Sequence, residues 1–89
     1  MTISRTVLIA NRRGLHARAS AKFVTLATQQ PVPVQVAKGG STVTGTSIMG
    51  LMMLGAAKGD TITISAAGDN AESAVDAMCA LVEAKFGEE

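Results

Sequence analysis

The sequence predicts an α/β (α+β) fold of the open-faced sandwich type. Four strands form one mainly antiparallel sheet, with helices packed on one face, in the order βαββαβα. Three observations carry this. Val32, Val34 and Val36 alternate with Pro33, Gln35 and Ala37, and Ile62, Ile64 and Ala66 repeat the period, so both segments read as strands with one buried face. Two longer segments, 17–28 and 71–86, instead space their apolar residues as helices do. Alternating strands need cover on one side only, and two helices supply it.

The elements follow in order. Residues 3–9 (ISRTVLI) are β-branched and apolar, a strand composition, although Arg5 shares the parity of Ile3, Val7 and Ile9 and leaves that end exposed. NRRG breaks the strand. The first helix runs from Ala17 to about Thr28, its stripe formed by Ala17, Ala21, Val24 and Ala27 with Phe23 alongside. QQPVP ends it, because proline cannot continue a helix and pushes its predecessor toward extended geometry. Pro33 places the second strand at an edge or a bulge, where one backbone donor is not needed. Gly39-Gly40 signals a two-residue hairpin, and STVTG returns with Val43 inward. SIMGLMMLG, residues 47–55, opens on a capping serine and closes on glycine, a short helix. After the last strand, Asp69 or Asn70 caps a helix with the stripe Ala71, Ala74, Val75, Met78, Val82 and Phe86.

Composition narrows the functional classes. A chain of 89 residues with no long linker and no internal repeat reads as one domain, residues 1–89. Eight basic and seven acidic residues give a net charge of +1, too balanced for nucleic-acid binding by counterion release. Phe23 and Phe86 are the only aromatics, so no platform exists for stacking bases. The basic residues are uneven, however: Arg5, Arg12, Arg13, Arg18 and Lys22 all precede residue 23 and predict an electropositive patch near His16 that suits a small anion. A lone Cys79 excludes an internal disulfide, and one cysteine with one histidine cannot supply a zinc site. Neither a metal nor a cofactor is called for. No apolar run is long enough to span a membrane and no signal-peptide pattern opens the chain, so the cytoplasm is the expected location.

The segment RRGLHARASAKF, residues 12–23, holds the only histidine. A histidine near a helix start is often a surface residue or a modest cap. Here Gly14 permits a sharp turn, and the helix that follows presents unpaired N–H groups and the positive end of its dipole, an anion site. Arg18 adds a guanidinium fork suited to phosphate. An imidazole beside such a site, mostly neutral near pH 7, is a nucleophile with a waiting pocket for a phosphoryl group. The residue types alone leave the bland reading open beside this one. A hydrolase built on His16 with Cys79 or Ser20 is weaker: the thiol falls beside the buried stripe, and Ser20 reads as a solvated helix serine without a third group to orient its base.

The segment TSIMGLMML raises a second question. Ile48, Met49, Leu51, Met52, Met53 and Leu54 are too many apolar residues for two helical turns to bury on one face. The excess predicts a partner surface, and methionine suits one that fits several partners. Ser47 caps this helix; a phosphate added there would meet the helix dipole and place negative charge beside the apolar surface.

Three stretches together resemble one family. GLHARAS at 14–20 looks like the active-site signature of the histidine-containing phosphocarriers, the HPr family of the phosphoenolpyruvate-dependent phosphotransferase system. SIMGLMMLGAAKGD at 47–60 looks like its second signature, and GDNAESAVDAM at 68–78 like the start of its last helix. The resemblance spans essentially the whole chain and implies the HPr-like sandwich. It implies that His16 accepts a phosphoryl group from phosphorylated enzyme I through Nδ1 and passes it to an EIIA-type protein, a covalent phosphohistidine carrier rather than a stand-alone catalyst. Arg18 would steady the transferring charge, with backbone donors at Ala17 and Arg18. Ile48, Met49, Leu51 and Met52 would form the docking surface, and Ser47 would match the serine that an HPr kinase/phosphorylase modifies in some bacteria. A carrier that shows one patch to successive partners is expected to be a monomer. Ala19 departs from the proline many members carry there, which leaves helix initiation less rigidly set. The alternative is a purely regulatory phosphoprotein or binding module of the same system, including its nitrogen-related branch; it would keep its partners after His16→Ala.

Overall fold

The computed structural model describes residues 2–88, and their elements are β1 (Thr2–Leu8), α1 (Ala17–Thr28), β2 (Val34–Lys38), β3 (Ser41–Thr44), α2 (Ile48–Met53), β4 (Thr61–Ala67) and α3 (Ala71–Glu83), with a 3-10 turn at Lys85–Gly87. The four strands lie in the order β1-β4-β2-β3, every neighbouring pair antiparallel. This is the open-faced sandwich that the alternation and the helical stripes predict.

Register explains the one-sided core. Val7 pairs with Ile62, Val36 with Ile64, and Val34 with Ala66, which aligns the apolar side chains on one face. That face and the buried sides of the helices share one core with Phe23, Leu51, Val75, Met78, Val82 and Phe86. The opposite face carries Ser4, Ser65, Gln35 and Thr44 in one cross-strand row and Thr6, Thr63, Ala37 and Thr42 in the next. Thr6 and Thr63 share a hydroxyl hydrogen bond of 3.1 Å there.

Several local expectations change. Strand β2 is interior rather than an edge: Pro33 stops one residue short of it, so its missing N–H never enters the ladder. β1 ends at Leu8; Ile9 lies beyond it but exchanges backbone bonds with the 59–60 turn, both 2.8 Å. The buried face of α1 is Ala19, Ser20, Phe23 and Ala27, while Ala17 is exposed and Ala21 and Val24 are half-buried. Four-residue steps from Ala19 through Phe23 to Ala27 fix that face; alanines on every side of the helix do not choose one.

The last helix also stops early. α3 ends at Glu83, and Lys85 and Phe86 turn left-handed with φ near 58° and 56°. That turn folds Phe86 back into the core, 1% exposed, so its burial was legible but its helix was not. Asn70 caps α3 through its backbone position, with φ 70° and no side-chain cap bond. Phe23 is the largest side chain on α1 and fully buried. Phe23→Ala is expected to destabilise the fold by about 3–5 kcal/mol, read as a lower urea midpoint with an unchanged slope.

Candidate functional site

The loop between β1 and α1 is held from beneath. Gly14 takes φ 65°, and a Cβ there would lie 2.4 Å from the Ala56 carbonyl oxygen and 2.8 Å from Ala57 Cα. Only glycine fits so close a backbone approach in a left-handed turn. The contact lets the Leu15 N–H donate to the Ala56 carbonyl at 2.9 Å, while Leu15 itself is buried. His16 then enters α1 as its N-cap, extended at φ −77° and ψ −179°, and its carbonyl accepts the first helical bond from Ser20 N–H at 2.9 Å.

Both ring nitrogens of His16 are engaged. Nδ1 accepts from the Arg18 backbone N–H at 3.2 Å, a long capping bond. Nε2 lies 2.5 Å from Glu88 Oε2. A backbone N–H can only donate, so Nδ1 presents its lone pair, and the proton of the neutral ring sits on Nε2, donated to Glu88. The other carboxylate oxygen of Glu88 accepts from Asn11 Nδ2 at 3.1 Å, and the same amide donates to the Gly14 carbonyl at 2.8 Å. The Asn11 amide, and then the hydrogen bond and charge of His16, hold the Glu88 carboxyl below the usual carboxylate range against the opposing effect of burial.

Around the ring lies an open pocket of about 520 Å³ lined by Arg12, Arg13, His16, Arg18, Lys22, Gly87 and Glu88. Four cations converge on one imidazole and one carboxylate, an arrangement that attracts anions. Arg5, counted with this patch from sequence, does not join it: its guanidinium pairs with Asp76 on α3. Arg12, Arg13 and Lys22 were legible as charge but not as pocket walls: the turn that aims the two arginines depends on Gly14 meeting Ala56, and Lys22 reaches the pocket from α1. Glu88 and Asn11 were missed altogether; a C-terminal glutamate and a loop asparagine carry no motif.

The hydrolase reading fails on placement. Ser20 is fully buried, not solvated, and its hydroxyl donates to the Leu15 carbonyl at 3.3 Å. Cys79 is fully buried on α3, where burial pushes its thiol up, away from the reactive thiolate. Among the described residues no group of three or more His, Cys, Asp or Glu side chains could hold a metal, and no helix is long and apolar enough to cross a membrane.

Helix α2 borders this loop through the Leu15–Ala56 bond and its packing on α1. Ser47 caps it by accepting from Gly50 N–H at 2.9 Å. Ile48, Met49, Met52 and Met53 are exposed, Met53 most of all at 80%. Leu51, expected on the docking surface, is instead fully buried with Leu54, because a six-residue helix that packs at all must turn one side chain per turn inward. Met53 takes its place on the exposed side.

A small α/β sandwich with an anion-seeking histidine at a helix start defines a class, and the comparisons place the chain within it. The family model for the PTS HPr component phosphorylation site matches residues 3–84. Phosphocarrier protein HPr of Neisseria meningitidis is 45% identical over 97% of both chains, and phosphocarrier protein NPr of Shewanella violacea is 42% identical over 97% of this chain and 94% of its own. The crystal structure of HPr-C-His from Thermoanaerobacter tengcongensis superposes with a TM-score of 0.92 at 42% identity, covering 98% of each chain. The chain belongs to the HPr family of phosphocarrier proteins of the phosphotransferase system. Glu88 lies beyond the matched residues.

Gly14→Ala is expected to destabilise the protein by about 2–4 kcal/mol, from left-handed strain and the clash with Ala56, read in a denaturant titration. Ser47→Ala, which removes one cap, is expected to lower stability by about 1 kcal/mol in the same assay. The depressed carboxyl of Glu88 contributes stability that is complete above the unfolded carboxylate range and lost as pH falls through its folded value. Stability measured from neutral pH into acid should therefore fall less steeply in Glu88→Gln than in the parent.

Proposed function

We propose that this chain works as a single phosphocarrier domain in which His16 accepts a phosphoryl group on Nδ1 from phosphorylated enzyme I and hands it to an EIIA-type protein. One observation carries the reading: Nε2 is occupied by Glu88 while the Nδ1 lone pair faces the start of α1, beside four cations. As a phosphoryl group arrives, the long capping bond from Arg18 N–H can yield to a phosphoryl oxygen, and the Arg18 guanidinium meets the charge that develops. Ala17, which opens α1, offers its backbone to the same anion.

The carrier needs no cofactor. A phosphorus–nitrogen bond passed between two histidines is nearly balanced in energy, so partners supply the rest of the electrostatics. Ile48, Met49, Met52 and Met53 form the docking surface, and the cationic pocket of the histidine loop favours partners that also carry acids. Phosphate on Ser47, added by an HPr kinase/phosphorylase, would set negative charge at the edge of that surface and oppose enzyme I docking. The carrier acts as a cytoplasmic monomer. Relatives named HPr and NPr stand at similar identity, so acceptors of sugar uptake and of the nitrogen-related branch both belong in the assay.

Incubation with enzyme I and phosphoenolpyruvate is expected to add one phosphoryl group by intact mass, lost on brief acid treatment and absent in His16→Ala. Arg18→Ala should slow transfer by about 10²-fold with the fold intact. Met52→Glu should raise KM for enzyme I without changing kcat. An acid-stable adduct that persists in His16→Ala would instead favour the regulatory module.

A further inference from the structure

We propose that Glu88 is a positioning residue for phosphoryl transfer: its carboxylate pins the ring proton of His16 on Nε2, so that Nδ1 is a nucleophile before transfer and a competent leaving group after it. The proposal rests on the carrier reading above and assigns a role to a residue outside the matched family segment.

The carboxylate is held on two sides. Oε2 meets His16 Nε2 at 2.5 Å, and Oε1 takes the Asn11 amide at 3.1 Å. Asn11 is fully buried and tied to the Gly14 carbonyl at 2.8 Å, so it is anchored in the histidine loop. The turn that delivers Glu88 is fixed independently. Buried Phe86 plugs it into the core, and Lys22 Nζ donates to the Phe86 carbonyl at 2.7 Å. A surface glutamate in casual contact would have neither anchor. An oriented carboxylate on the far nitrogen of a histidine selects the tautomer of the ring, as it does beneath catalytic and metal-bound imidazoles generally.

The chemistry then balances without moving a ring proton. On arrival, the Nδ1 lone pair forms the new nitrogen–phosphorus bond while the bond in the donor breaks and its electron pair stays with the donor. Nε2 keeps its hydrogen, and the positive charge gained by the ring faces the Glu88 carboxylate. On departure the pair of the breaking bond returns to Nδ1, and the ring leaves as neutral imidazole because Nε2 is still protonated. A ring without that proton would have to leave as imidazolate, a far poorer leaving group. The opposite tautomer, with hydrogen on Nδ1, has no lone pair there with which to attack.

The chain holds one histidine, so ¹⁵N-histidine labelling gives a single pair of ring-nitrogen signals. In the unphosphorylated protein, at a pH where the ring is neutral, the expected spectrum shows Nδ1 bare and Nε2 protonated. Glu88→Gln keeps the shape of the side chain, but an amide can donate to Nε2 as readily as accept from it. The Nδ1–H tautomer should rise roughly tenfold in that variant. Its kcat for transfer from phosphorylated enzyme I should fall in proportion to the Nε2–H population lost, with KM unchanged. Glu88→Asp, which retains the acceptor, should recover most of both. An unchanged tautomer in a folded Glu88→Gln protein, or a shifted tautomer with unchanged kcat, overturns the proposal while leaving the carrier standing. Parent protein that takes no phosphoryl group overturns the carrier reading and the proposal with it.

Discussion

The hydrogen bond from the Leu15 N–H to the Ala56 carbonyl, 2.9 Å long, decides where everything else in the site stands. It joins the histidine loop to the segment after α2, and it forms only because Gly14 has no Cβ to strike Ala56 and Ala57. From that fixed point the next residue must cap α1, which turns the imidazole toward the Arg18 N–H. The arginines before Gly14 are carried to the rim of the same pocket. Burial of Leu15 beneath the loop makes the arrangement cooperative with the core, so the site is as rigid as the fold.

That rigidity suits a protein with few reactive groups. Nothing in the site resembles a cleft that surrounds a substrate. The imidazole is oriented by backbone and carboxylate, and the charge is arranged in advance. The exposed methionines of α2 suit the same economy, since thioethers adapt to unlike surfaces without a change of backbone.

Much of this was legible in the sequence, and the failures have physical causes. Period-two valines and isoleucines announced β2 and β4, and the glycine pair announced the hairpin. Ser47 was found at its cap because capping is a local property, and a cap was one of the readings left open for His16. The buried face of α1 was misplaced because alanine, present on all its sides, is neutral between core and surface. Leu51 was placed on the docking surface by the resemblance, because a motif match carries residues across without showing which way each one turns. Asn11 and Glu88 escaped because their partnership spans 77 positions and is made by the left-handed turn at Lys85 and Phe86, which no periodicity encodes.

The strand order has a further consequence, in time rather than in space. Among the described strands β1 pairs with β4 alone, so Thr2 finds its partner in Ala67 and β1 waits for the sixth of these elements. The β2–β3 hairpin is closed by two glycines and can form locally, whereas the ladder of β1 closes a loop of most of the molecule. On the ribosome, β1 emerges with both edges bare, and the histidine loop hanging from it cannot be fastened until Ala56 has emerged. The histidine loop is therefore fastened late, and a nascent chain halted before Thr61 holds at most the β2–β3 hairpin, with β1 still unpaired.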